Sequence, residues 1–356
     1  MSLEVSQQII IEKTGKSKLD QVDFDLLPFG QVYTDHMFVC DYENGKWQQP
    51  KIIPYQNISL DPSAKIFHYG QSVFEGMKAY KDESNDIWLF RPVENQKRLN
   101  ISAKRLAMPE LPAEYFMEGL KALLLLEKDW IPTTKDSSLY IRPFMFASGN
   151  GFHASPSDKY KFIIACSPSG PYFGGQLKVL IEQKYSRSAN GGVGFAKAGG
   201  NYAGQFYPTR LAVEKGYQQV IWTDDTTHEN IEEAGAMNIF VRIGDTLITA
   251  PTSDRILDGI TRKSVIDIAR DQGIKVEVRN ISVHEIVSAS VDGTLQEMFG
   301  AGTAAVISPI DGFGFQEKYY ELPKPEDSYA IQLKKQITDI QYNRSEDKFG
   351  WRYAVK

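Results

Sequence analysis

A lysine among small residues is the first feature of the chain that suggests chemistry. Lys197 lies in the run Ala196-Lys-Ala-Gly-Gly-Asn-Tyr202, where small neighbours let the backbone come close to a ligand. A lysine in such surroundings can have its ammonium desolvated, or can form a Schiff base with a carbonyl compound. Its free pKa is about 10.4, so chemistry near neutral pH requires a large downward shift. A glycine-rich turn with an exposed lysine fits the same residues.

Two other segments have residue types that suit a charged ligand. The adjacent acids Glu232 and Glu233 run into the apolar segment Asn238-Ile-Phe-Val241, although paired acids are more often surface residues. The run Leu257-Asp-Gly-Ile-Thr261 directly precedes an amphipathic stretch. A glycine turn that leads into a helix offers unpaired amides and a favourable dipole to an anion. An ordinary helix capped by Thr261 is the alternative.

Together with three more segments, these motifs resemble the class IV aminotransferases, which use pyridoxal 5′-phosphate (PLP). The added segments are His68-Tyr-Gly-Gln-Ser-Val-Phe-Glu-Gly76, the helical stretch around Arg98, and Gly300-Ala-Gly-Thr-Ala-Ala305. The matches run in order from Phe29 to Ala305. The chain is most similar to the longer, eukaryote-type branch of branched-chain amino-acid aminotransferases. That branch often has Thr at the position of Ala236.

The resemblance implies a role for each residue that would bind the cofactor. Lys197 would form the Schiff base and move the proton during transamination. Glu233 would face the pyridine nitrogen, Tyr202 would hydrogen-bond the ring oxygen, and a guanidinium at Arg98 would bind the phosphate bidentately. The remaining implied cofactor contacts are Ala236, Met237, Asn238, Leu257, Gly259, Ile260, Thr261 and Thr303.

The resemblance also implies a substrate pocket with an aromatic lining. The aligned residues are Phe29, Tyr69, Phe74, Tyr140, Arg142, Tyr172, Thr303 and Ala304. Aromatic walls suit Leu, Ile and Val side chains, because burying each CH₂ is favourable by ~0.8 kcal/mol. In the Tyr140-Ile-Arg142 motif the arginine would engage the second carboxylate of glutamate or 2-oxoglutarate.

The strands and helices that the sequence pattern predicts around these residues indicate a two-domain α/β (α+β) protein. The resemblance implies fold type IV, with a smaller N-terminal α+β domain and a larger C-terminal β-barrel-like domain with helices. The domains are expected at residues 1–168 and 178–356, joined by a Pro- and Gly-rich loop at 169–177. The clearest predicted strands and helices are Gln31–Cys40, Ile87–Phe90, Leu139–Ala147, Lys161–Ser167, Lys178–Gln183, Gln219–Thr223, the hairpin Asn238–Ala250, and the helices Asn95–Ala107, Glu114–Trp130 and Arg262–Gln272.

Composition excludes several other classes of protein. The 356 residues are 42% hydrophobic with a net charge of -5, and no basic run suggests a nucleic-acid partner. The five histidines and two cysteines have no metal-ligand spacing, so we expect no metal site. The chain has no signal-like or membrane-spanning run, and a cytoplasmic location is expected. The family resemblance implies a homodimer.

Two other functions remain open from the sequence. One is a different PLP reaction, carried out by a D-amino-acid aminotransferase or a lyase. The other is a non-catalytic nucleotide- or phosphate-binding module that uses the glycines at 191–194. The chain has neither a GxGxxG run between a strand and a helix nor a GxxxxGK[ST] run, which argues against the second.

Overall fold

The computed structural model describes residues 8–170 and 177–356, and these ranges contain two compact units. Unit 1 comprises residues 8–170, 196–199 and 341–356, and unit 2 comprises residues 177–195 and 200–340. The predicted α+β organisation is confirmed, since each unit has its own sheet and its own hydrophobic core.

The strands, in chain order, are β1 (Ile10–Ile11), β2 (His36–Glu43), β3 (Lys46–Trp47), β4 (Lys51–Pro54), β5 (Ser72–Phe74), β6 (Met77–Lys81), β7 (Ile87–Phe90), β8 (Ser138–Ala147), β9 (Tyr160–Ser169), β10 (Lys178–Ile181), β11 (Gln219–Thr223), β12 (Ile231–Ala234), β13 (Met237–Ile243), β14 (Thr246–Thr249), β15 (Lys275–Val278), β16 (Leu295–Gly302), β17 (Val306–Pro309), β18 (Gly312–Phe315), β19 (Lys318–Glu321) and β20 (Arg352–Val355). The α-helices are α1 (Lys65–Tyr69), α2 (Pro92–Arg105), α3 (Ala113–Leu126), α4 (Gly199–Glu214), α5 (Ile260–Asp271), α6 (Val283–Val291) and α7 (Tyr329–Gln341).

Unit 1 is built on a mixed sheet in the order β1-β4-β2-β9-β8-β6-β7-β20. Its longest pairing joins β8 and β9 antiparallel, from Ser138 opposite Ser169 to Ala147 opposite Tyr160. Helices α2 and α3 supply apolar residues to the core, including the fully buried Leu99, Phe116 and Leu120. The rigid centre of this sheet carries residues 140 and 142, whose side chains share a face because they are two apart in a strand.

Unit 2 is built on a second sheet in the order β15-β14-β13-β12-β11-β10-β18-β19. Strand β13 also pairs with β16, which continues antiparallel into β17. A two-residue turn at Gly244 and Asp245 joins β13 to β14, as the predicted hairpin requires, and Gly244 has a φ of 54°. Helix α5 ends before Gly273, whose φ of 75° provides the left-handed residue that commonly terminates helices.

Several element boundaries differ from the sequence prediction. The strand predicted at Gln31–Cys40 runs from His36 to Glu43, because the Asp35 amide just before it donates to Oε2 of Glu127 at 3.1 Å instead of to a neighbouring strand. The helix predicted to extend to Trp130 ends at Leu126 and is followed by a 3₁₀ turn at Lys128–Trp130. These changes leave the order of elements unaltered.

The end of the chain groups with unit 1, whereas a simple division would assign residues 178–356 to one C-terminal domain. The physical reason is β20, which pairs antiparallel with β7 from Arg352 opposite Phe90 to Val355 opposite Ile87. The hydroxyl of Tyr342 also donates to the carbonyl of Ser137 at 2.6 Å. Most of the loop expected at 169–177, including Tyr172, lies outside the described residues.

Candidate active site

The backbone around Lys197 is held on both sides within unit 1. The Lys197 amide donates to Oγ of Ser102 at 2.9 Å, and the Lys197 carbonyl accepts from the Phe74 amide at 3.0 Å. Its neighbour Ala198 forms an antiparallel bridge with Val73. The small residues predicted to allow a close approach thus fit against β5, and they fix the position from which the lysine side chain projects.

The side chains of Lys197 and Arg142 both lie close to the aromatic ring of Phe74. Nζ of Lys197 lies 4.8 Å from the centroid of the Phe74 ring, and Cζ of Arg142 lies 4.5 Å from the same centroid. Arg142 donates from Nη2 to the Tyr140 hydroxyl at 2.9 Å. The Phe29 ring meets the Tyr140 ring edge-on at 4.9 Å. The fold therefore brings together five residues that were singled out in four separate segments of the sequence.

A cavity of about 440 Å³ opens beside Tyr140 and Arg142 in unit 1. Most of its wall is apolar or aromatic, and Phe29, Tyr33, Met37, Tyr55, Ile58 and Ile163 contribute to it. Cys166 also lines the cavity, and burial raises the pKa of its thiol, so this side chain is neutral at physiological pH. The cavity has the size typical of small-molecule sites, with one cation in an apolar surround.

Arg98 is buried on α2 and forms a bidentate ion pair with Glu75. Its Nε donates to Oε1 and its Nη2 donates to Oε2 of that carboxylate, both at 2.8 Å. Glu75 is fully buried, and Arg98 is 8% exposed. The guanidinium predicted to bind a phosphate is thus fixed in plane and direction by a residue that sequence reasoning had not singled out.

In unit 2, the acid predicted to face a ring nitrogen is held by an arginine. Glu233 on β12 is 2% exposed and forms an ion pair with Nε of Arg187, while the Leu257 amide donates to its Oε2 at 3.2 Å. The adjacent Glu232 pairs instead with Nε of Arg255, and burial raises the pKa of Glu232. Successive residues of a strand point to opposite faces, so the two acids serve different surroundings.

Asn238 links this acid to the loop before α5. It lies opposite Glu233 in the β12–β13 pairing, and its Nδ2 donates to the Leu257 carbonyl at 2.9 Å. A β-carbon on Gly259 would lie 1.9 Å from Oδ1 of Asn238, so a larger residue there would have to displace the Asn238 side chain. Three of the predicted cofactor contacts therefore lie against one another in unit 2.

The start of α5 has the properties of an anion site and fits the phosphate of PLP. Gly259 is the N-cap and provides no side-chain hydrogen bond, while Ile260 and Thr261 are buried in the first turn. The first amides of a helix have no acceptor within the helix, and the helix dipole favours negative charge there. Arg262 is also buried, which lowers its pKa, and an anion nearby would offset that cost.

Thr303 and Ala304 lie in the turn between β16 and β17, half-buried. Met237 packs across the preceding strand, where a β-carbon on Gly300 would lie 2.7 Å from its Sδ. Val306, which follows the turn, has a φ of 62°, a strained value for a β-branched residue. Strain of this kind is found at functional turns, where the surrounding structure holds it in place.

The remaining predicted residues are placed as follows. Ala236 is exposed in the turn between β12 and β13, and Tyr202 is half-buried in the first turn of α4. Tyr69 ends α1, and its hydroxyl donates to the Phe152 carbonyl, so it contacts the loop at 149–156. Tyr172 lies outside the described residues.

Sequence reasoning missed two residues that contact the predicted site. Glu75 was present in the quoted motif ending in Gly76, but no pattern pointed to its partner on α2. Arg187 lies in a loop whose sequence shows no motif. Each contact joins residues distant in sequence, and the only available signal was that a buried charge needs an opposite charge close by.

The described ranges offer neither a metal cluster nor a membrane-spanning helix. No group of three or more His, Cys, Asp or Glu side chains there is arranged to hold a metal ion. No helix in those ranges is both long enough and apolar enough to span a membrane.

Comparison with known proteins agrees with this arrangement. The family model described as amino-transferase class IV matches residues 72–313. Branched-chain-amino-acid aminotransferase 2 of Bacillus subtilis is 43% identical over 354 residues, covering 98% of this chain and 97% of that protein. Branched-chain-amino-acid transaminase 1 of the same organism is 44% identical over 350 residues, covering 97% of this chain and 98% of that protein.

Solved structures are similar over most of the chain. The branched-chain amino acid aminotransferase of Escherichia coli has a TM-score of 0.75 at 26% identity, covering 90% of this chain and 99% of that chain. The T.th. branched-chain amino acid aminotransferase in complex with N-(5′-phosphopyridoxyl)-L-glutamate has a TM-score of 0.70 at 25% identity, covering 89% of this chain and 98% of that chain. The chain therefore belongs to the class IV aminotransferases, and it is a PLP-dependent transaminase.

Proposed function

We propose that this transaminase transfers the amino group of L-Leu, L-Ile and L-Val to 2-oxoglutarate, which gives branched-chain 2-oxo acids and L-glutamate. The observation that carries the proposal is the cavity beside Arg142, whose walls are mostly apolar and aromatic. Apolar walls favour aliphatic side chains. The full-length similarity to the two Bacillus subtilis branched-chain enzymes points to the same substrates.

Arg142 explains how one pocket would accept both an aliphatic amino acid and a dicarboxylate. Its guanidinium lies close to the Phe74 and Tyr140 rings, with Cζ at 4.5 and 5.3 Å from their centroids. One edge of the guanidinium donates from Nη2 to the Tyr140 hydroxyl at 2.9 Å. A γ-carboxylate would pair with that edge, whereas a Leu side chain would contact the rings.

Each part of the cofactor has a proposed partner in this chain. Lys197 is proposed to hold PLP as a Schiff base, with Glu233 at the ring nitrogen and Tyr202 at the ring oxygen. The phosphate is assigned to Arg98 and to the start of α5, and Leu257 to the ring face. The other proposed cofactor contacts are Ala236, Met237, Asn238, Gly259, Ile260, Thr261 and Thr303.

PLP supplies an electron sink that stabilises negative charge at the substrate Cα. The chain's own residues would bind the substrate and move the proton. Nζ of Lys197 is proposed to accept and then release the proton of the substrate Cα, and its fixed backbone would keep that atom in reach. Phe29, Tyr69, Phe74, Tyr140, Arg142, Tyr172, Thr303 and Ala304 are the proposed substrate contacts.

A substrate panel tests the proposal directly. We expect L-Leu, L-Ile and L-Val to convert the cofactor absorbance of the holoenzyme, and 2-oxoglutarate to restore it. D-Ala is included because the D-amino-acid aminotransferases are the alternative within this family, and we expect it to be inert. Faster turnover of D-Ala than of the three L-amino acids would overturn the substrate assignment. Release of product without restoration by 2-oxoglutarate would indicate a lyase.

Gly76→Ala is expected to raise KM for L-Leu roughly tenfold while changing kcat less, because its β-carbon would lie 2.5 Å from the Tyr140 hydroxyl. Tyr140 would have to move, and its hydrogen bond to Arg142 at 2.9 Å would break. Steady-state kinetics measure the effect. The matched control is Gly204→Ala, an exposed helix position with no atom within 4 Å of the added carbon. An unchanged KM in Gly76→Ala would remove Tyr140 from the proposed pocket.

Two properties of the assembled protein stay predictions. A homodimer is proposed from the family resemblance, and sedimentation or size-exclusion chromatography with light scattering measures it. A cytoplasmic location is proposed as well. It is compatible with the two buried cysteines, Cys40 and Cys166, which are not joined in a disulfide.

A further inference from the structure

Three consecutive residues in unit 1 each contact a different part of the proposed site. The Phe74 ring contacts Lys197 and Arg142, Glu75 pairs with Arg98, and the space above Gly76 is filled by the Tyr140 hydroxyl. Of these three, only Glu75 has a charged side chain, and neither the proposed chemistry nor the substrate pocket uses it. Its role therefore needs a separate explanation.

The Glu75 carboxylate is fully buried and fully engaged. Beyond the two bonds from Arg98 at 2.8 Å, it accepts from Nδ2 of Asn95 at 2.8 Å and from the Gly76 amide at 3.3 Å. Arg98 and Asn95 both lie on α2. The carboxylate thus binds two side chains of one helix, which fixes the orientation of α2 relative to the strand that precedes Glu75.

The backbone on both sides of this carboxylate is rigid. The Phe74 amide donates to the Lys197 carbonyl at 3.0 Å, and the Glu75 amide donates to the Pro143 carbonyl at 2.7 Å. Phe74 also ends β5, which pairs with β8. These bonds hold the backbone of Glu75 in place. Its bidentate ion pair in turn holds the guanidinium of Arg98 in place.

Stability alone is a weak explanation for such a pair. Removing two charges from water costs about as much as their attraction returns, and apolar replacements of buried pairs are often neutral or stabilising. Orientation is a better explanation, because the two parallel N–H···O bonds of a bidentate pair fix both the plane and the direction of the guanidinium. A cation that must meet a phosphate benefits from being held in place before binding.

We propose that Glu75 is a positioning residue for the cofactor: it acts through Arg98, whose guanidinium it holds in the orientation that binds the PLP phosphate. The inference rests on the phosphate role proposed for Arg98. It predicts that the cofactor's affinity depends on Glu75, although that carboxylate itself never touches the cofactor.

The test compares Glu75→Gln with Arg98→Gln and with the double variant. We expect the dissociation constant of PLP to rise roughly tenfold to a hundredfold in Glu75→Gln, as when a residue that orients a binding group is removed. The phosphorus NMR signal of the holoenzyme should shift and broaden. The double variant should bind PLP no worse than Arg98→Gln, because Glu75 acts only through that arginine.

The matched control is Glu297→Gln. Glu297 is 6% exposed, pairs with the buried Arg242 at 3.1 Å and accepts from Oγ of Ser328 at 2.6 Å, all in unit 2. Its loss should lower the thermal midpoint as much as Glu75→Gln does, yet leave PLP affinity and the phosphorus signal unchanged. An equal loss of affinity in this control would reduce Glu75 to a structural role and overturn the inference.

The remaining outcomes are equally decisive. Weak binding in Arg98→Gln with normal binding in Glu75→Gln overturns this inference alone. Normal binding in both overturns the phosphate role of Arg98 and this inference with it. Should Glu75→Gln not fold, Asn95→Ala removes one bond to the same carboxylate and keeps the ion pair. It should weaken PLP binding about threefold, and an unchanged dissociation constant there would also overturn the inference.

Discussion

Replacing Lys197 with alanine is expected to lower kcat by roughly four orders of magnitude or more, since it removes both the covalent attachment and the proton carrier. The backbone of residue 197 is held by Ser102 and Phe74 through main-chain atoms, so these bonds remain in the variant. We therefore expect far-UV circular dichroism to be unchanged. Single-turnover assays with L-Leu measure the remaining activity.

The control for this variant is Lys215→Ala, which removes an exposed lysine after α4. That variant should retain wild-type kinetics. Free amines added to Lys197→Ala should restore part of the activity, because the missing function is a proton carrier at a defined place. Retention of more than about a tenth of wild-type kcat in Lys197→Ala would contradict the role assigned to this lysine.

Glu233→Gln is expected to lower kcat by roughly 10²- to 10³-fold, a typical loss when one preorganised electrostatic contact is removed. A carboxylate beside the pyridine nitrogen keeps a proton there, and a neutral amide does so poorly. The same change at the neighbouring position supplies the comparison. Glu232→Gln also removes a buried acid that is paired with an arginine, Arg255.

The two acids are adjacent on β12, and both are buried and paired with an arginine. The main difference between them is the face of the strand on which each side chain lies. Glu233 meets Arg187 and the Leu257 amide, whereas Glu232 lines a polar cavity of about 320 Å³ beside Arg255. We expect Glu232→Gln to change kcat less than tenfold. Absorbance spectra of both holoenzymes should separate them as well, with an altered cofactor band only in Glu233→Gln. Equal losses in both variants, or the larger loss at 232, would show that the wrong acid has been assigned.

Local pattern was sufficient to predict much of the fold. The strands at Ile87–Phe90 and Gln219–Thr223 have the predicted bounds, and the hairpin around Gly244 is confirmed. These elements depend on short-range properties, namely β-branched side chains and turn residues. The failures lie where a distant contact replaces a local preference, as when the Asp35 amide, just before β2, donates to the side chain of Glu127.

In the candidate site, likewise, residues that stand in motifs were predicted, whereas contacts between distant segments were not. Motifs identified residue types such as the lysine at 197 and the glycine at 259, because each stands in a recognisable run of neighbouring residues. The ion pairs that hold Arg98 and Glu233 were not predicted, because Glu75 and Arg187 are brought there by tertiary structure. Pairing of β20 with β7 likewise joins segments at opposite ends of the chain, which no local pattern indicates.

Chemical trapping of the cofactor identifies the lysine to which it is attached. The holoenzyme is reduced with borohydride, digested, and examined by mass spectrometry for a lysine that carries the phosphopyridoxyl group. We expect this group on Lys197, and we expect prior incubation with L-Leu to prevent its attachment. Attachment to another lysine, or none after reconstitution with PLP, would contradict this expectation.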